Sequence, residues 1–150
     1  MVLENENRSL IYVEEEEKIS RSVLVCVNNF PDLPVMLLNY EYLAADIESM
    51  ALSTVQGTYI IKKYLYGGYQ AQYDFKLIYR IKPANSNDKR LKADELLNSF
   101  GEWLRKNPLE LSQGMRVVSV EPTTRSSLFA AYDNGDEDHQ IFMRLIYEVI

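Results

Sequence analysis

Alternating apolar and polar positions mark the middle of the chain as β structure. In YQAQYDFKLIYRIKP (69–83) the apolar side chains fall on the odd positions, and Ile78 is the one exception. Such alternation is typical of a strand with one buried and one solvent-facing side. TYIIKKYLY (58–66) precedes it, with Gly67-Gly68 between the two. Because glycine tolerates the positive φ angles of a two-residue turn, the sequence predicts a β-hairpin here.

Two other segments carry apolar residues at helical spacing. The first is EEEEKISRSVLVCVNNF (14–30), where the glutamate run is predicted to be a solvated helix start and PDLP (31–34) ends the helix. The second runs from Leu91 to Lys106. The apolar stripes consist of Ile19, Val23, Cys26, Val27 and Phe30 in the first segment, and of Ala93, Leu96, Leu97, Phe100, Trp103 and Leu104 in the second. Trp103 is interpreted as a core anchor because it shares its stripe with large apolar neighbours.

Four further segments are predicted as strands, the first of them at a sheet edge: 48–57, 114–122, 126–132 and 139–150. The order is helix, strands, helix, strands, without an alternating βα rhythm. This predicts an α+β fold, in which one largely antiparallel β-sheet carries two main α-helices on one face. No repeat or linker divides the chain, so we expect a single domain over residues 1–150, with residues 1–13 as a poorly ordered or extended N-terminal arm.

Composition and charge exclude several functional classes. The chain has 22 acids against 16 bases, a net charge of −6, which disfavours general binding to a phosphate backbone. Cys26 has no second cysteine to form a disulfide or a thiolate metal site, so we expect folding in a reducing cytoplasm. No apolar run approaches the roughly 20 residues of a bilayer span, and the acidic N-terminus is unlike a secretory signal.

The stretch AYDNGDEDHQ (131–140) concentrates acids around the only histidine. An EF-hand loop does not fit, because placing Gly135 at loop position 6 puts Ala130 at position 1 and Ile141 at position 12. The Asn-Gly pair between two predicted strands instead indicates a hairpin turn. Its acids are expected to lie on a solvent-exposed tip, and a loose cation site over 133–138 stays open as the alternative. These acids are Asp133, Asp136, Glu137 and Asp138.

No motif in the chain indicates catalysis. The sequence lacks GxSxG, P-loop, GxGxxG and HExxH patterns. Cys26 and His139 could be combined as a thiol–imidazole pair, but Cys26 lies on an apolar helical stripe, where a buried, inert thiol is ordinary. His139 has no second histidine with which to share a metal. We therefore predict no catalytic residue, no cofactor and no metal site.

Tyrosine is unusually frequent, with eleven residues, of which six lie on the central hairpin. A core and a sheet face can absorb tyrosines, but tyrosine is also favoured at protein–protein contacts because its apolar ring ends in a hydrogen-bonding hydroxyl. Both interpretations remain open. The interface hypothesis names Tyr64, Tyr66, Tyr69 and Tyr73.

Several elements, taken in order, resemble one known family. They are a strand entering a glycine turn (Tyr64 to Gly68), a strand ending in YR (Tyr79-Arg80), Arg90 before a helix carrying WL (Trp103-Leu104), and an acidic Asn-Gly turn before a last strand ending in YE. Over about residues 14–150 the chain resembles the small tail-terminator proteins of long, non-contractile-tailed bacteriophages, often labelled minor capsid proteins.

The resemblance implies a structural role in the virion tail, after assembly in the host cytoplasm. Such proteins form a hexameric ring that caps the tail tube, stops its polymerisation and helps to join head to tail. The implied partners are other copies of the chain, the major tail-tube protein and a head-completion protein, with genome DNA passing through the ring unread. A head-closure or connector protein, or a monomeric ligand-binding domain whose tyrosines line a pocket, are the alternatives; an enzyme ranks third.

Overall fold

The computed structural model describes residues 2–150, with side chains from Glu14 onward. Within that part it contains two helices and seven strands. These are α1 (Val2–Val27), β1 (Asn39–Tyr40), β2 (Ser49–Val55), β3 (Ile60–Lys63), β4 (Tyr69–Ile81), α2 (Asn87–Lys106), β5 (Met115–Pro122), β6 (Ser127–Ala131) and β7 (Glu137–Val149). Neither helix is long and apolar enough, over its described residues, to cross a membrane. The predicted arm over residues 1–13 lies outside the residues described with side chains.

All seven strands form one sheet around the antiparallel pair β4 and β7. These two strands pair along their whole length, from Tyr69 opposite Val149 to Ile81 opposite Glu137. Both β2 and β3 pair with the other side of β4, and both β5 and β6 pair with the outer side of β7. The short β1 lies parallel to β2 and covers its outer side. This architecture confirms the predicted α+β fold with a largely antiparallel sheet.

Both helices cover the same face of this sheet. The odd positions of β4 and β7 that the alternation predicted to be buried form the core with the stripes of α1 and α2. The ring of Phe30 stacks on Phe100 with centroids 4.2 Å apart, and Trp103 lies 5.5 Å from Phe30. Gly101 lets α2 approach the sheet, because a Cβ there would lie 3.1 Å from the Ile141 side chain. The interpretation of Trp103 as a core anchor is consistent with these contacts.

Three helix boundaries differ from the sequence prediction, and one of them is the start of α1, which lies at Val2 rather than at Glu14. The helix α2 begins at Asn87 rather than Leu91, because Ser86 caps it and accepts a hydrogen bond from the Lys89 N–H. The helix α1 ends at Val27, and Phe30 lies in the turn that follows, although its ring still enters the core as predicted.

The prediction of a solvated helix start for the glutamate run is wrong for Glu15. That residue is only 7% exposed, and the run lies inside α1 rather than at its beginning. The carboxylate of Glu15 accepts hydrogen bonds from the hydroxyls of Tyr69 and Tyr147, the latter at 2.8 Å. The pKa of Tyr147 is raised well above its ordinary value, mainly by burial and secondly by its hydrogen bond to Glu15. Glu15 therefore fastens α1 to the sheet.

The central hairpin forms as predicted, but its turn is longer than two residues. Lys63 pairs with Tyr69, and the Tyr64 N–H donates to the Gly68 carbonyl at 3.1 Å. Gly67 and Gly68 have φ angles of +89° and +77°. A Cβ on Gly68 would clash with a backbone carbonyl at the end of β7. Glycine is thus required at this point both by its conformation and by close packing.

Candidate functional site

The acidic stretch near the C-terminus forms the predicted hairpin turn between β6 and β7. The Tyr132 N–H donates to the Asp136 carbonyl at 2.8 Å, and the Gly135 N–H donates to the Tyr132 carbonyl at 3.0 Å. Gly135 has a φ of +94°, which glycine adopts without strain. The Asn-Gly signal was therefore a correct indicator of this turn.

The prediction that the acids of this turn are solvent-exposed is wrong for three of the four. Asp136, Glu137 and Asp138 are 2%, 9% and 2% exposed, while Asp133 is exposed. Buried carboxylates are costly unless they are paired or hydrogen-bonded. Each of the three meets basic side chains or N–H donors from distant parts of the chain.

Asp138 binds Arg80 of β4 through two parallel hydrogen bonds. Arg80 Nε donates to Oδ1 at 2.7 Å and Nη2 donates to Oδ2 at 2.9 Å. The Tyr132 hydroxyl donates to the same Oδ2 at 2.8 Å, and its ring lies 4.8 Å from the guanidinium. The hydrogen bonds that Arg80 donates to Asp138 raise the pKa of Arg80 above its ordinary value. The arrangement holds β4, β6 and β7 together at one end of the sheet.

Glu137 and His139 connect the same end of β7 to α2. Arg90 donates to Glu137 from Nε at 3.0 Å and from Nη2 at 2.9 Å. His139 Nδ1 lies 2.9 Å from Asp94 Oδ1, and its Nε2 lies 3.6 Å from Glu137 Oε1. The Ser126 hydroxyl also donates to Asp94 at 2.7 Å. These contacts fix the first half of α2 to the sheet.

Asp136 holds the long loop before β2. Its Oδ2 accepts a hydrogen bond from the Asp46 N–H at 3.0 Å and another from the Asn134 side-chain amide at 2.9 Å. These bonds, the first of them foremost, lower the pKa of Asp136. Lys82 forms an ion pair with Asp46 beside them. The conformation of the loop, including a φ of +63° at Asp46, is thus fixed by the hairpin turn.

Asp136, Glu137, Asp138 and His139, with their partners, form a polar cluster that holds strands, α2 and the loop before β2 together. Among the described residues, no group of three or more histidine, cysteine, aspartate and glutamate side chains is arranged to hold a metal ion. Cys26 and His139 are not brought together: Cys26 lines a groove with Trp103, while His139 binds Asp94. Asp94 and Trp103 are nine residues apart on α2, which is about 13 Å. Burial raises the pKa of the Cys26 thiol, as expected for an unreactive side chain.

We expect the free energy of unfolding to fall as the pH is lowered from about 5 towards 2. The hydrogen bonds from Arg90 lower the pKa of Glu137. A carboxyl group with a lowered folded pKa stabilises the fold above its unfolded pKa, and this stabilisation is lost as the pH falls through the folded pKa. Urea unfolding at a series of pH values measures the slope of the unfolding free energy against pH. Glu137→Gln and Arg90→Gln should both flatten it, whereas exposed Lys89→Gln should not; an unchanged slope in both variants contradicts the assignment.

The tip of the β3–β4 hairpin carries two adjacent apolar side chains that are almost completely exposed. Leu65 is 97% exposed and Tyr66 is fully exposed. At its base the Tyr64 hydroxyl donates to Glu148 at 2.8 Å, and Glu148 also pairs with Arg116. The tip is therefore an apolar side-chain pair on an anchored turn.

The structure divides the four tyrosines of the interface hypothesis between two environments. Tyr66 lies at the hairpin tip and Tyr64 at its base, whereas Tyr69 and Tyr73 lie beneath α1. Tyr73 is 7% exposed and shares a 2.8 Å hydrogen bond with Ser20, and burial raises its pKa to about 12. An interface at this hairpin would thus be formed by Leu65 and Tyr66. Leu65 was missed because the hypothesis rested on tyrosine content alone.

A second exposed apolar region was not predicted from the sequence. It lies on the loop and short strand between α1 and β2. Its members are Met36, Leu37, Tyr40, Tyr42 and Ile47, with exposures between 44% and 103%. Asn28 holds the loop through hydrogen bonds to both the N–H and the carbonyl of Leu38, at 2.8 Å and 3.0 Å. The apolar side chains are therefore displayed on an ordered segment.

Comparison with known proteins gives a likeness in fold. No protein-family model matches the chain. No curated protein matches it either. A chain of the solved structure "Virion of native gene transfer agent (GTA) particle" superposes with a TM-score of 0.65 at 16% identity, over 89% of this chain and 97% of that one. A second solved chain, at 9% identity, covers 90% of this chain and 92% of its own, but its TM-score of 0.49 is too low to support an argument.

Proposed function

We propose that this chain is a structural protein of a bacteriophage virion, namely a tail terminator that works as a ring at the head-proximal end of the tail tube. The observation on which this depends is the exposed Leu65–Tyr66 tip on an anchored hairpin. The likeness in fold to a chain of a gene transfer agent virion supports it. The resemblance of residues 14–150 to tail terminators supports the specific role and the hexameric state.

A ring needs two different surfaces on each copy, and the rotation between neighbours must close. An ordinary stable interface buries about 800 Å² per partner, and a few aromatic or large apolar side chains supply most of its binding energy. Tyr66 and Leu65 are side chains of this kind, and the tip keeps them out of the chain's own core. The chain thus acts through self-contact and transforms no substrate.

The proposed partners follow from the place of the ring at the head-proximal end of the tail tube. The ring contacts the last tail-tube subunits on one side, which stops further polymerisation, and a head-completion protein on the other. Genome DNA passes through the opening. A net charge of −6 suits such a channel, because an acidic surface repels the phosphate backbone and does not retain it. A head-closure or connector protein would use the same surfaces at a neighbouring position.

A monomeric ligand-binding protein is the second candidate. An open cavity of about 440 Å³ lies between α1 and the break that separates β2 from β3. Tyr59, Tyr73 and Tyr147 line it together with Gln72 and Asp74. Its size is within the range of small-molecule sites. A protein of this kind would stay monomeric and gain the mass of a compound, which distinguishes it from a ring.

The double variant Leu65→Ser/Tyr66→Ser tests the assembly surface. We expect self-association to weaken by about tenfold or more, because the variant removes the apolar anchor of the contact. The far-UV circular dichroism should be unchanged, since both side chains are exposed. Sedimentation velocity, with and without tail-tube protein, measures the association. Leu91→Ser, which removes an exposed leucine from α2, is the matched control. Equal association of the two variants contradicts the proposal.

A further inference from the structure

We propose that the Leu65–Tyr66 tip of one copy binds in the groove between α1 and β1 of a second copy. This inference rests on the proposed ring and names the pair of surfaces that forms it. The groove has a volume of about 480 Å³. Its lining combines apolar and acidic side chains: Glu16, Glu17, Ser20, Arg21, Leu24 and Tyr40.

The groove offers both an apolar contact and a polar wall. Tyr40 is 44% exposed and Leu24 is half-buried, so both present apolar surface to an incoming side chain. Ser20 lies in the lining, and its hydroxyl is hydrogen-bonded to Tyr73 beneath. An aromatic ring with a hydroxyl at its end, such as Tyr66, suits a groove of this composition.

The charges around the groove and the tip are complementary. Glu16 and Glu17 line the groove together with one base, Arg21, which forms an exposed pair with Glu17 at 2.9 Å. Exposed pairs of this kind contribute little, so the carboxylates remain available to a partner. Next to the tip, Lys62 and Lys63 are both exposed, and neither forms an ion pair with any residue in the described part of the chain. Docking would place these lysines beside the groove's carboxylates.

The tip does not occupy the groove of its own chain, because Leu65 and Tyr66 are 97% and 101% exposed. Tyr40 pairs with Leu52, which pairs with Leu77 of β4, whereas the tip directly precedes Tyr69. Eight residues of β4 therefore separate the Tyr40 end of the groove from the base of the tip, which is about 26 Å along the strand. Each copy therefore presents a tip and receives one elsewhere. Such head-to-tail contacts generate rings when the rotation closes.

Charge reversal tests this pairing. Lys62→Glu/Lys63→Glu on the tip, or Glu16→Lys/Glu17→Lys on the groove, should each weaken association by about tenfold or more, because like charges then meet. A mixture of the two variants should associate again, because the acidic tip of one variant and the basic groove of the other attract each other. Wild-type association in both single-surface variants, measured by sedimentation velocity, would overturn the pairing while leaving the proposed ring intact.

Disulfide trapping gives an independent measurement of the same contact. Lys63→Cys and Glu17→Cys chains, each in a Cys26→Ser background, should form a cross-linked dimer when mixed under oxidation. Ser99→Cys, exposed on α2, replaces Glu17→Cys as the control and should give background cross-linking. Equal yields from the two mixtures contradict the pairing. If the wild type does not associate, either alone or with tail-tube protein, the proposed function and this inference fail together.

Discussion

Asp138→Ala should lower the free energy of unfolding by about 3–5 kcal/mol. Asp138 is 3% exposed at its side chain and Arg80 is 14% exposed, so the variant leaves a desolvated guanidinium without its carboxylate. The Tyr132 hydroxyl loses the same acceptor. Removing one partner of a buried pair costs far more than the pair contributes when intact, because the remaining charge is uncompensated.

Urea denaturation at neutral pH measures this effect. The matched control is Asp88→Ala, which breaks an exposed pair whose side chains are 71% and 73% exposed and should cost less than about 1 kcal/mol. Replacing both buried partners, as in Arg80→Met/Asp138→Leu, should cost less than Asp138→Ala alone, since no charge is left unpaired. A loss below about 1 kcal/mol for Asp138→Ala would show that the cluster is not a structural fastening.

Phe100→Ala should destabilise the chain by about 3–5 kcal/mol through loss of packing. Phe100 is fully buried, and its ring stacks on Phe30 while Trp103 packs on both. The neighbouring Gly101 holds α2 close to the sheet, so the surroundings have little freedom to fill the cavity. Phe30 follows the end of α1, so the stack connects that end of α1 to α2, and its loss should therefore loosen α1 as well as α2.

Denaturation by urea gives the change in unfolding free energy, and hydrogen exchange shows which helix loosens. Leu91→Ala, on the exposed side of the same helix, should change stability by less than about 0.5 kcal/mol. Similar losses for the buried and the exposed variant would contradict the assignment of Phe100 to the centre of the core.

Local periodicity was sufficient to predict most of the fold. The alternation in 69–83 became β4 with its odd positions buried, and the apolar stripe from Leu91 to Lys106 became the buried side of α2. These patterns depend on neighbours two to four residues apart, which the sequence displays directly. The hairpin turn at Asn134-Gly135 was equally local, because an Asn-Gly pair between strands has few alternatives.

The environment of the acids could not be inferred in the same way. Asp138 and Glu137 are matched by arginines 58 and 47 positions away, and Glu15 meets Tyr147 across 132 positions. A run of acids in isolation is typical of a solvated surface. Only the folded sheet brings the compensating groups beside them, so the sequence predicted exposure where the structure shows pairing.

The sequence was sufficient to predict part of the candidate interface, namely the hairpin tip, but not the groove. Tyr69 and Tyr73 share the buried parity of β4, so the alternation already indicated rings directed at the core. Leu65 and Tyr66 fall in the turn, where side chains are exposed, and the glycine signal identifies that turn. The groove between α1 and β1 has no local signal, because its lining comes from segments about twenty residues apart that meet only through the sheet.

Native mass spectrometry of the wild-type protein, alone and mixed with tail-tube protein, is the most direct measurement of assembly through self-contact. We predict a species of six times the chain mass, reduced by Leu65→Ser/Tyr66→Ser. A single-chain mass under both conditions, above all one that carries a bound small compound, would contradict the proposed ring and favour the ligand-binding alternative.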